Sequence, residues 1–217
     1  ACSKVSWPQA TQEVMTNSCS TFYISHPISI RHGQLGYSNR KEIIDYFLDL
    51  KQKGDGVPPQ EDRGWKTDWE IHLNHRILDK LLDMVHLWYC QHIVGPRGPS
   101  FIVKSTFQNT KHFNIDANVW FQEYLPGQVS PQHEHGTLSR YSWVYYLDVG
   151  ENGSPLTFVE LKDNKNELQK VDEIHLPVYN DMIVMFPSNI HHKVYPCKTK
   201  RYVLAGNIND ISYEDKE

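Results

Sequence analysis

Two segments in the first half of the chain place apolar residues at helical spacing, and polar connections separate them. The segment Lys41–Leu50 carries such a stripe, and Asn39 in front of it is a candidate N-cap. A longer stripe extends over Leu73–His92, after which glycine and proline follow. These patterns predict two helices after a strand over Thr21–Ile30. The long polar connection that continues through Trp69 predicts no core element.

Beyond Pro99 the apolar period changes from that of a helix to that of a strand. Short β-rich segments alternate with turn residues such as Pro126 and Gly127, which is typical of an antiparallel sandwich or barrel. The predicted strands are Phe101–Phe107, Ile115–Tyr124, Tyr141–Val149, Leu156–Val159, Val171–Leu176, Asp181–Phe186, His191–Tyr195 and Arg201–Ile208. Helices followed by strands give the α+β class. We expect residues 1–99 to be an N-terminal arm and helical support region and residues 100–217 to be the core that holds the site, within one structural unit.

Composition and charge narrow the classes of function. Of the 217 residues 39% are hydrophobic, which is enough for a packed core, and the formal net charge is -4. That charge argues against binding of nucleic acid by broad neutralisation of phosphates. No apolar run approaches the roughly 20 residues that a membrane span needs. The 4 cysteines contain no Cys-x-x-Cys pair, so we expect free thiols in a reducing compartment and a cytoplasmic protein.

Histidines supply the candidate chemistry. His133 and His135 flank Glu134, and in a strand residues i and i+2 share a face, so both imidazoles can converge on one ion while Glu134 points away. The distant run Phe186–Val194 offers a third imidazole, and neutral imidazole suits iron, zinc, copper or nickel. Four other histidines lie in or near the second predicted helix without the i, i+4 spacing of a helical metal site, and we expect them to face solvent or form hydrogen bonds: His72, His75, His86 and His92.

The sequence around the His-x-His motif resembles the 2-oxoglutarate- and iron(II)-dependent oxygenases. Prolyl-hydroxylase-like members carry a tyrosine, a Gly-Gln pair and a histidine six residues after the glycine, and Tyr124, Gly127 and His133 keep that register. A closer resemblance is to an oxygenase family frequent in bacteria and phages, which combines a tryptophan-containing strand, His-x-His, Ser-x-Val-Tyr-Tyr-Leu, Phe-Pro-Ser and a distal histidine and arginine. This chain supplies them, in that order, as Trp120, His133 to His135, Ser142 to Leu147, Phe186 to Ser188, His192 and Arg201.

The resemblance implies a double-stranded β-helix, or jelly roll, with a metal near its open end and the N-terminal helices as a buttress. It makes His133 the first ligand and His192 the distal one, since His192 stands five residues after Pro187 as the family histidine does, whereas His191 would face the other way. Most of these enzymes have a carboxylate where this chain has His135. Either three histidines hold the metal, or His135 faces the substrate and a water or a distant acid completes the site.

The resemblance also implies iron(II) and 2-oxoglutarate as cofactors of a dioxygenase that hydroxylates a C–H bond. The basic residue at the position of Arg201 holds the far carboxylate of 2-oxoglutarate in these enzymes, and a guanidinium offers two parallel donors that match a carboxylate. Tyr124 and Asn207 are candidate additional contacts to the co-substrate. The expected substrate is a small molecule or a protein side chain, and the expected location is the cytoplasm, or the host cytoplasm if a phage encodes the protein.

Two other functions agree with the same residues. Gly127, the His-x-His motif, Pro187 and His192 also resemble the two cupin motifs, although Arg140 lies near the place of the usual glutamate. A three-histidine cupin would be a dioxygenase or isomerase that does not use 2-oxoglutarate. The other alternative is a non-enzymatic barrel module that has kept the histidines without their function.

Overall fold

The structure is a computed structural model of the 217-residue chain. It describes residues 19–25, 28–57, 62–94, 117–136, 139–151, 153–164 and 167–208. Strands predominate over helices in these ranges, and the helices belong to the first half of the chain. Within the same ranges no helix combines the length and the apolar character that a membrane span requires.

The elements follow one another as several strands and helices and then an uninterrupted series of strands. The strands are β1 (Ser20–Ser25), β2 (Ile28–Gln34), β3 (Trp65–Lys66), β4 (Ala117–Tyr124), β5 (Ser130–His133), β6 (Tyr141–Asp148), β7 (Leu156–Asn164), β8 (Glu167–Leu176), β9 (Met182–Pro187), β10 (His192–Val194) and β11 (Arg201–Ile208). The helices are α1 (Arg40–Gln52), α2 (Ile71–Asn74) and α3 (Asp79–Tyr89), with a 3-10 turn over Arg76–Leu78 and a π-helical turn over Cys90–Val94.

Two antiparallel sheets face each other and form the core. The larger sheet has the strand order β1-β2-β9-β6-β11-β4-β3, and the smaller sheet has the order β5-β10-β7-β8. From β4 to β11 the chain passes back and forth between the two sheets, as in a jelly roll, except that β7 and β8 form a hairpin within the smaller sheet. Apolar side chains of both sheets fill the space between them, among them Phe158 and Val194 from the smaller sheet and Phe186 and Val203 from the larger. The predicted α+β class with a double-stranded β-helix core is confirmed.

The helices cover the other face of the larger sheet. Ile43 and Phe47 of α1 are fully buried there, as is Leu81 of α3. Phe47 stacks on Phe121 of β4 with 4.9 Å between the ring centroids. Burial of one such side chain contributes about 1.5–3 kcal/mol to the stability of the fold. The helices therefore buttress the sheet, as predicted.

The segment Leu73–His92 is not the single helix that its apolar stripe predicts. α2 ends before His75, whose backbone is extended (φ -124°, ψ 89°), and regular α-helix resumes only at Asp79. The His75 ring is hydrogen-bonded through Nδ1 to the Tyr46 hydroxyl at 2.7 Å and packs edge-on against Phe47. These contacts with α1 hold His75 outside helical geometry, so tertiary structure overrides the periodic pattern.

The polar connection before α2 contains a core element, so the prediction of none was wrong. Trp65 of β3 is only 5% exposed, and β3 pairs with β4 at one edge of the larger sheet. Thr67 continues the pairing, since its backbone N–H donates to the Phe121 carbonyl and its hydroxyl accepts from the Phe121 N–H, both at 3.0 Å. A Cβ at Gly64 would lie 1.8 Å from the Glu123 carbonyl oxygen, so only glycine permits this close approach.

The remaining sequence predictions concern the other strands and the boundary between the two regions. The strand expected over Thr21–Ile30 is an antiparallel hairpin of β1 and β2, and the sequence between them carries Pro27, which has no N–H to donate to a ladder. The later predicted strands are present as β4 and β6 to β11, with β7 and β8 longer than expected. The predicted strand Phe101–Phe107 lies outside the described residues. The predicted boundary after residue 99 also lies outside them and stays a prediction.

Candidate metal centre

Three histidines meet at one end of the smaller sheet. His133 of β5 and His192 of β10 are partners in the register of these two strands, and their ring centroids are 4.3 Å apart. The His135 ring, just beyond β5, is 5.1 Å from the His133 ring and 5.2 Å from the His192 ring. One ring nitrogen of each lies within 4.8 Å of the others. The structure thus brings together the three histidines that the sequence singles out.

Backbone carbonyl groups orient two of the three rings. The Nδ1 atom of His133 lies 2.7 Å from the carbonyl oxygen of Pro131, and the Nδ1 atom of His192 lies 2.9 Å from that of Ile190. A carbonyl oxygen can only accept, so each Nδ1 carries the proton and donates. The lone pair is then on Nε2 of both rings. This arrangement of a neutral imidazole with its second nitrogen held by the backbone is typical of metal ligands.

Burial lowers the pKa of all three imidazoles. The pKa of His135 falls to about 4, first because of burial and then because of the neighbouring His133. Burial is the main cause for His192 as well, whose pKa lies well below its ordinary value, and His133 again adds to the effect. The pKa of His133 is lowered chiefly by its own burial. The rings are therefore neutral at pH 7, the form in which imidazole binds a metal ion.

No carboxylate joins this cluster among the residues that the structure describes. Glu134 is exposed, and its Oε2 accepts a hydrogen bond from the Gly136 backbone N–H at 2.6 Å. The neighbouring His191 is not part of the cluster either, and its carbonyl oxygen accepts from the Val159 N–H at 2.8 Å. The expectations that Glu134 points away and that His192 is nearer than His191 agree with this geometry.

A small polar network supports the segments that carry the histidines. The His135 backbone N–H donates to the Ser188 carbonyl at 2.8 Å, and Ser188 belongs to the turn that leads into β10. The Ser142 hydroxyl lies 2.9 Å from the Ser188 hydroxyl and 2.8 Å from Asn207 Oδ1. The Ser-x-Val-Tyr-Tyr-Leu and Phe-Pro-Ser motifs contain these two serines, but nothing in the local sequence pattern predicts their hydrogen bonds. Their buried hydrogen bonds fix the position of His135 relative to His192.

Arg201 lies between the two sheets and is only 2% exposed. Its Nη1 donates to the Ser154 carbonyl at 3.0 Å, and its guanidinium carbon lies 5.2 Å from the Tyr124 ring centroid and 5.1 Å from the Tyr146 ring centroid. Among the described residues no carboxylate pairs with Arg201, and neither its Nε nor the buried Tyr146 hydroxyl has a hydrogen-bond partner. An unpaired buried charge is costly, so this guanidinium is suited to bind an anion.

A narrow cavity between the sheets connects Arg201 to the three histidines. His133, His135 and His192 line it together with Arg201, and Tyr124 is also part of its wall. Asn207 is not brought to Arg201. It stands six residues along β11, a distance of about 20 Å in an extended strand, and its side-chain oxygen is bonded to Ser142.

Comparison with known proteins finds similar solved structures. No protein-family model matches the chain, and no curated protein matches it. A prolyl hydroxylase from Trichoplax adhaerens, solved with a peptide of a hypoxia-inducible factor, has a TM-score of 0.52 at 19% identity, with 84% of this chain and 83% of that chain covered. The carbocyclase SnoK, an α-ketoglutarate-dependent non-heme enzyme of nogalamycin biosynthesis, has a TM-score of 0.57 at 10% identity, with 85% and 81% covered.

The chain has the fold of these enzymes. A third neighbour, the epimerase SnoN in complex with Fe3+, α-ketoglutarate and nogalamycin RO, has a TM-score of 0.56 at 9% identity and covers 86% of this chain and 81% of its own. At these identities the likeness is one of fold. The likeness shows the double-stranded β-helix fold that the sequence predicts.

Proposed function

We propose that the protein is an iron(II)- and 2-oxoglutarate-dependent dioxygenase that hydroxylates a C–H bond. One observation carries the proposal: a buried arginine without an acidic partner among the described residues shares an interior cavity with three converging imidazoles. The imidazoles supply ligands of the kind that iron(II) accepts, and the guanidinium supplies a fork that matches a carboxylate. The residues present therefore fit both groups.

His133, His135 and His192 would hold the metal. The backbone contacts of His133 and His192 direct their Nε2 lone pairs away from the carbonyl groups. The Phe186 ring lies 4.8 Å from the His192 ring and gives this histidine an apolar neighbour. Three neutral ligands leave the whole double charge of the metal for an anionic co-substrate to offset. When bound, iron(II) and 2-oxoglutarate would supply the activation of oxygen and the oxidising power for a C–H bond.

Arg201 would hold the far carboxylate of 2-oxoglutarate. The Ser154 carbonyl fixes one nitrogen of the guanidinium, which leaves Nε without a protein partner among the described residues. Tyr124 and Tyr146 flank the charge, and their rings restrict its movement while keeping water out. We assign Tyr124 to this pocket as a packing contact. Asn207 instead supports the histidine-bearing segments through Ser142.

Titration under anaerobic conditions tests the proposal. The protein should bind one iron(II), and addition of 2-oxoglutarate should then produce a metal-to-ligand charge-transfer band. His133→Ala and His192→Ala should abolish stoichiometric iron binding while the circular dichroism spectrum stays that of the folded protein. Metal binding without the band would favour the cupin-type alternative, and binding of neither would favour a non-enzymatic module. Full retention of iron by both variants would place the metal elsewhere.

His135 has its own test because it stands where related enzymes carry a carboxylate. A His135→Asp variant should bind iron(II) at least as tightly as the wild type, since two histidines and one carboxylate are a ligand set typical of non-heme iron(II). His135→Ala should bind it more weakly. If both variants bind iron as the wild type does, His135 is not a ligand and faces the substrate instead.

A further inference from the structure

An outer cleft of about 400 Å³ opens from the histidines toward the protein surface. His133 and His135 line its inner end, and the segment around β3 supplies Arg63, Lys66 and Trp69. His133 and His135 also line the narrow cavity between the sheets, but Arg201 lines only that cavity, whereas Arg63, Lys66 and Trp69 line only the outer cleft. A space of this size suits a small organic molecule. The outer cleft is therefore the way by which a substrate could reach the metal centre.

Two positive charges stand close together in this cleft. The pKa of Lys66 is lowered, first by burial and then by the neighbouring Arg63. No ion pair is formed by either side chain with the residues that the structure describes. The partner of Lys66 is instead the Trp69 ring, whose centroid lies 3.8 Å from Nζ. The carboxylate in the cleft wall belongs to Glu134, which accepts from the Gly136 N–H.

Aromatic rings connect these charges with the histidine cluster. Trp69 is 45% exposed, and its centroid lies 4.6 Å from that of Trp120 in an edge contact. The Trp120 ring is buried and lies nearly parallel to the His135 ring, with the centroids 6.0 Å apart and 24° between the planes. An aromatic wall thus extends from the charged rim of the cleft to a proposed metal ligand. Such a wall binds an apolar or ring-containing body, while the rim binds a charged group.

We propose that the outer cleft binds the substrate, a small organic anion whose negative group contacts Arg63 and Lys66 while its carbon skeleton lies along Trp69 and Trp120 toward His135. This inference rests on the proposed oxygenase function, because it names the class of molecule that would reach the metal. Like charges that form no ion pair with the described residues raise the energy of the free protein, and an anion relieves that repulsion. The anion site at Arg201 takes the co-substrate, so the two charged groups do not compete.

Two fluorescent probes with the same ring system test the inference: anilinonaphthalene sulfonate, which is an anion, and phenylnaphthylamine, which lacks the sulfonate. Both are titrated against the protein loaded anaerobically with iron(II) and 2-oxoglutarate, and again in the metal-free protein. The Arg63→Gln, Lys66→Gln double variant should weaken binding of the sulfonate about ten- to a hundredfold, the effect of losing a charged hydrogen bond, and leave the neutral probe unchanged. Lys80→Gln, an exposed lysine of α3, is the matched control.

Trp69→Ala locates the probes, since loss of the indole should weaken both of them. Equal affinity of the sulfonate in the wild type and the double variant would overturn the inference, and so would the absence of an effect of Trp69→Ala. The double variant should keep the charge-transfer band of 2-oxoglutarate at the wild-type concentration. Absence of the charge-transfer band in the wild type would contradict the oxygenase proposal. In that case the probe titration of the metal-free protein would still decide whether the cleft binds anions.

Discussion

The two faces of the larger sheet differ in what they bury, and β11 shows the difference within one strand. All residues of Arg201–Ile208 are buried, so both faces of the strand are covered. Tyr202 and Leu204 point to the helices and belong to an apolar cluster with side chains of α1 and α3. Arg201 and Asn207 point to the smaller sheet, where they carry a charge and an amide into the interior.

This difference separates stability from function within one sheet. The helix-covered face is packed with apolar side chains whose burial stabilises the fold. The inner face carries the Arg201 guanidinium, which shares a cavity with the three histidines on the side of the smaller sheet, and each of these groups costs free energy unless it finds a partner. A fold can retain such groups because the other face supplies the stability. Substitutions on the two faces should therefore have different consequences.

The largest expected effect belongs to the helix-covered face. Leu204 is fully buried, so Leu204→Ala should lower the free energy of unfolding by about 2–5 kcal/mol through lost burial and a cavity. Affinity of the folded variant for 2-oxoglutarate should stay at the wild-type value, because the side chain faces away from the interior cavity. Urea unfolding and the anaerobic titration measure the two quantities. A large loss of affinity in the folded variant would show that the faces are not independent.

The helix-covered face also buries a histidine, His86 of α3, which is 5% exposed. Burial, with a smaller contribution from His72, lowers the pKa of His86 to about 4. The unfolded chain then binds a proton more readily than the folded one, so stability is complete above pH 6.5 and falls as the pH drops toward 4. The difference in pKa corresponds to about 3 kcal/mol at the acid end of that range.

Urea unfolding between pH 7 and pH 4 measures this loss in the wild type and in His86→Leu. The variant should show a shallower decline, and the comparison of slopes is unaffected by any constant loss of packing. Parallel declines in the two proteins would mean that His86 is not the group responsible. The histidines of the metal centre titrate in both proteins and cancel from the difference.

The histidine cluster could be predicted from the sequence better than the edge of the larger sheet. Strand periodicity predicts that His133 and His135 share a side, and the resemblance to the oxygenase motifs favours His192 over His191. These relations are local or follow a motif, so they could be found without a structure. Arg201 could be singled out only through its place after the distal histidine. Its burial without an acidic partner among the described residues depends on how the two sheets pack.

The outer cleft could not be predicted because its wall forms through long-range pairing. β3 has two residues and shows no period, and Trp65 becomes buried only because β3 pairs with β4 across a long stretch of chain. Lys66 and Arg63 therefore appear in the sequence as ordinary polar residues of a connection. The break at His75 has a similar origin, since the contact with Tyr46 comes from another helix. Contacts between distant segments leave little trace in a local pattern.

On the inner face, Arg201→Ala should reduce the affinity for 2-oxoglutarate about ten- to a hundredfold, which corresponds to the roughly 1.5–3 kcal/mol of a hydrogen bond to a charged group. Iron(II) affinity should not change, because the arginine faces the co-substrate and the histidines hold the metal. Arg201→Lys should recover only part of the binding, since an ammonium lacks the fork of the guanidinium. Charge-transfer titrations measure all three proteins. Equal affinities would place the carboxylate site elsewhere.

The smallest expected effect concerns the Tyr146 hydroxyl, a buried polar group that finds no hydrogen-bond partner among the described residues. Its ring lies against Arg201, and burial raises its pKa to about 12, so the hydroxyl stays protonated and can donate. If the co-substrate carboxylate accepts that hydrogen bond, Tyr146→Phe should weaken 2-oxoglutarate binding by about 0.5–1.5 kcal/mol, or roughly twofold to tenfold. The free protein should be as stable as the wild type or slightly more so, because the substitution removes an unpaired polar atom and keeps the ring. Unchanged affinity for 2-oxoglutarate in Tyr146→Phe would show that the hydroxyl does not face the co-substrate, and the carboxylate contact would then be limited to Arg201.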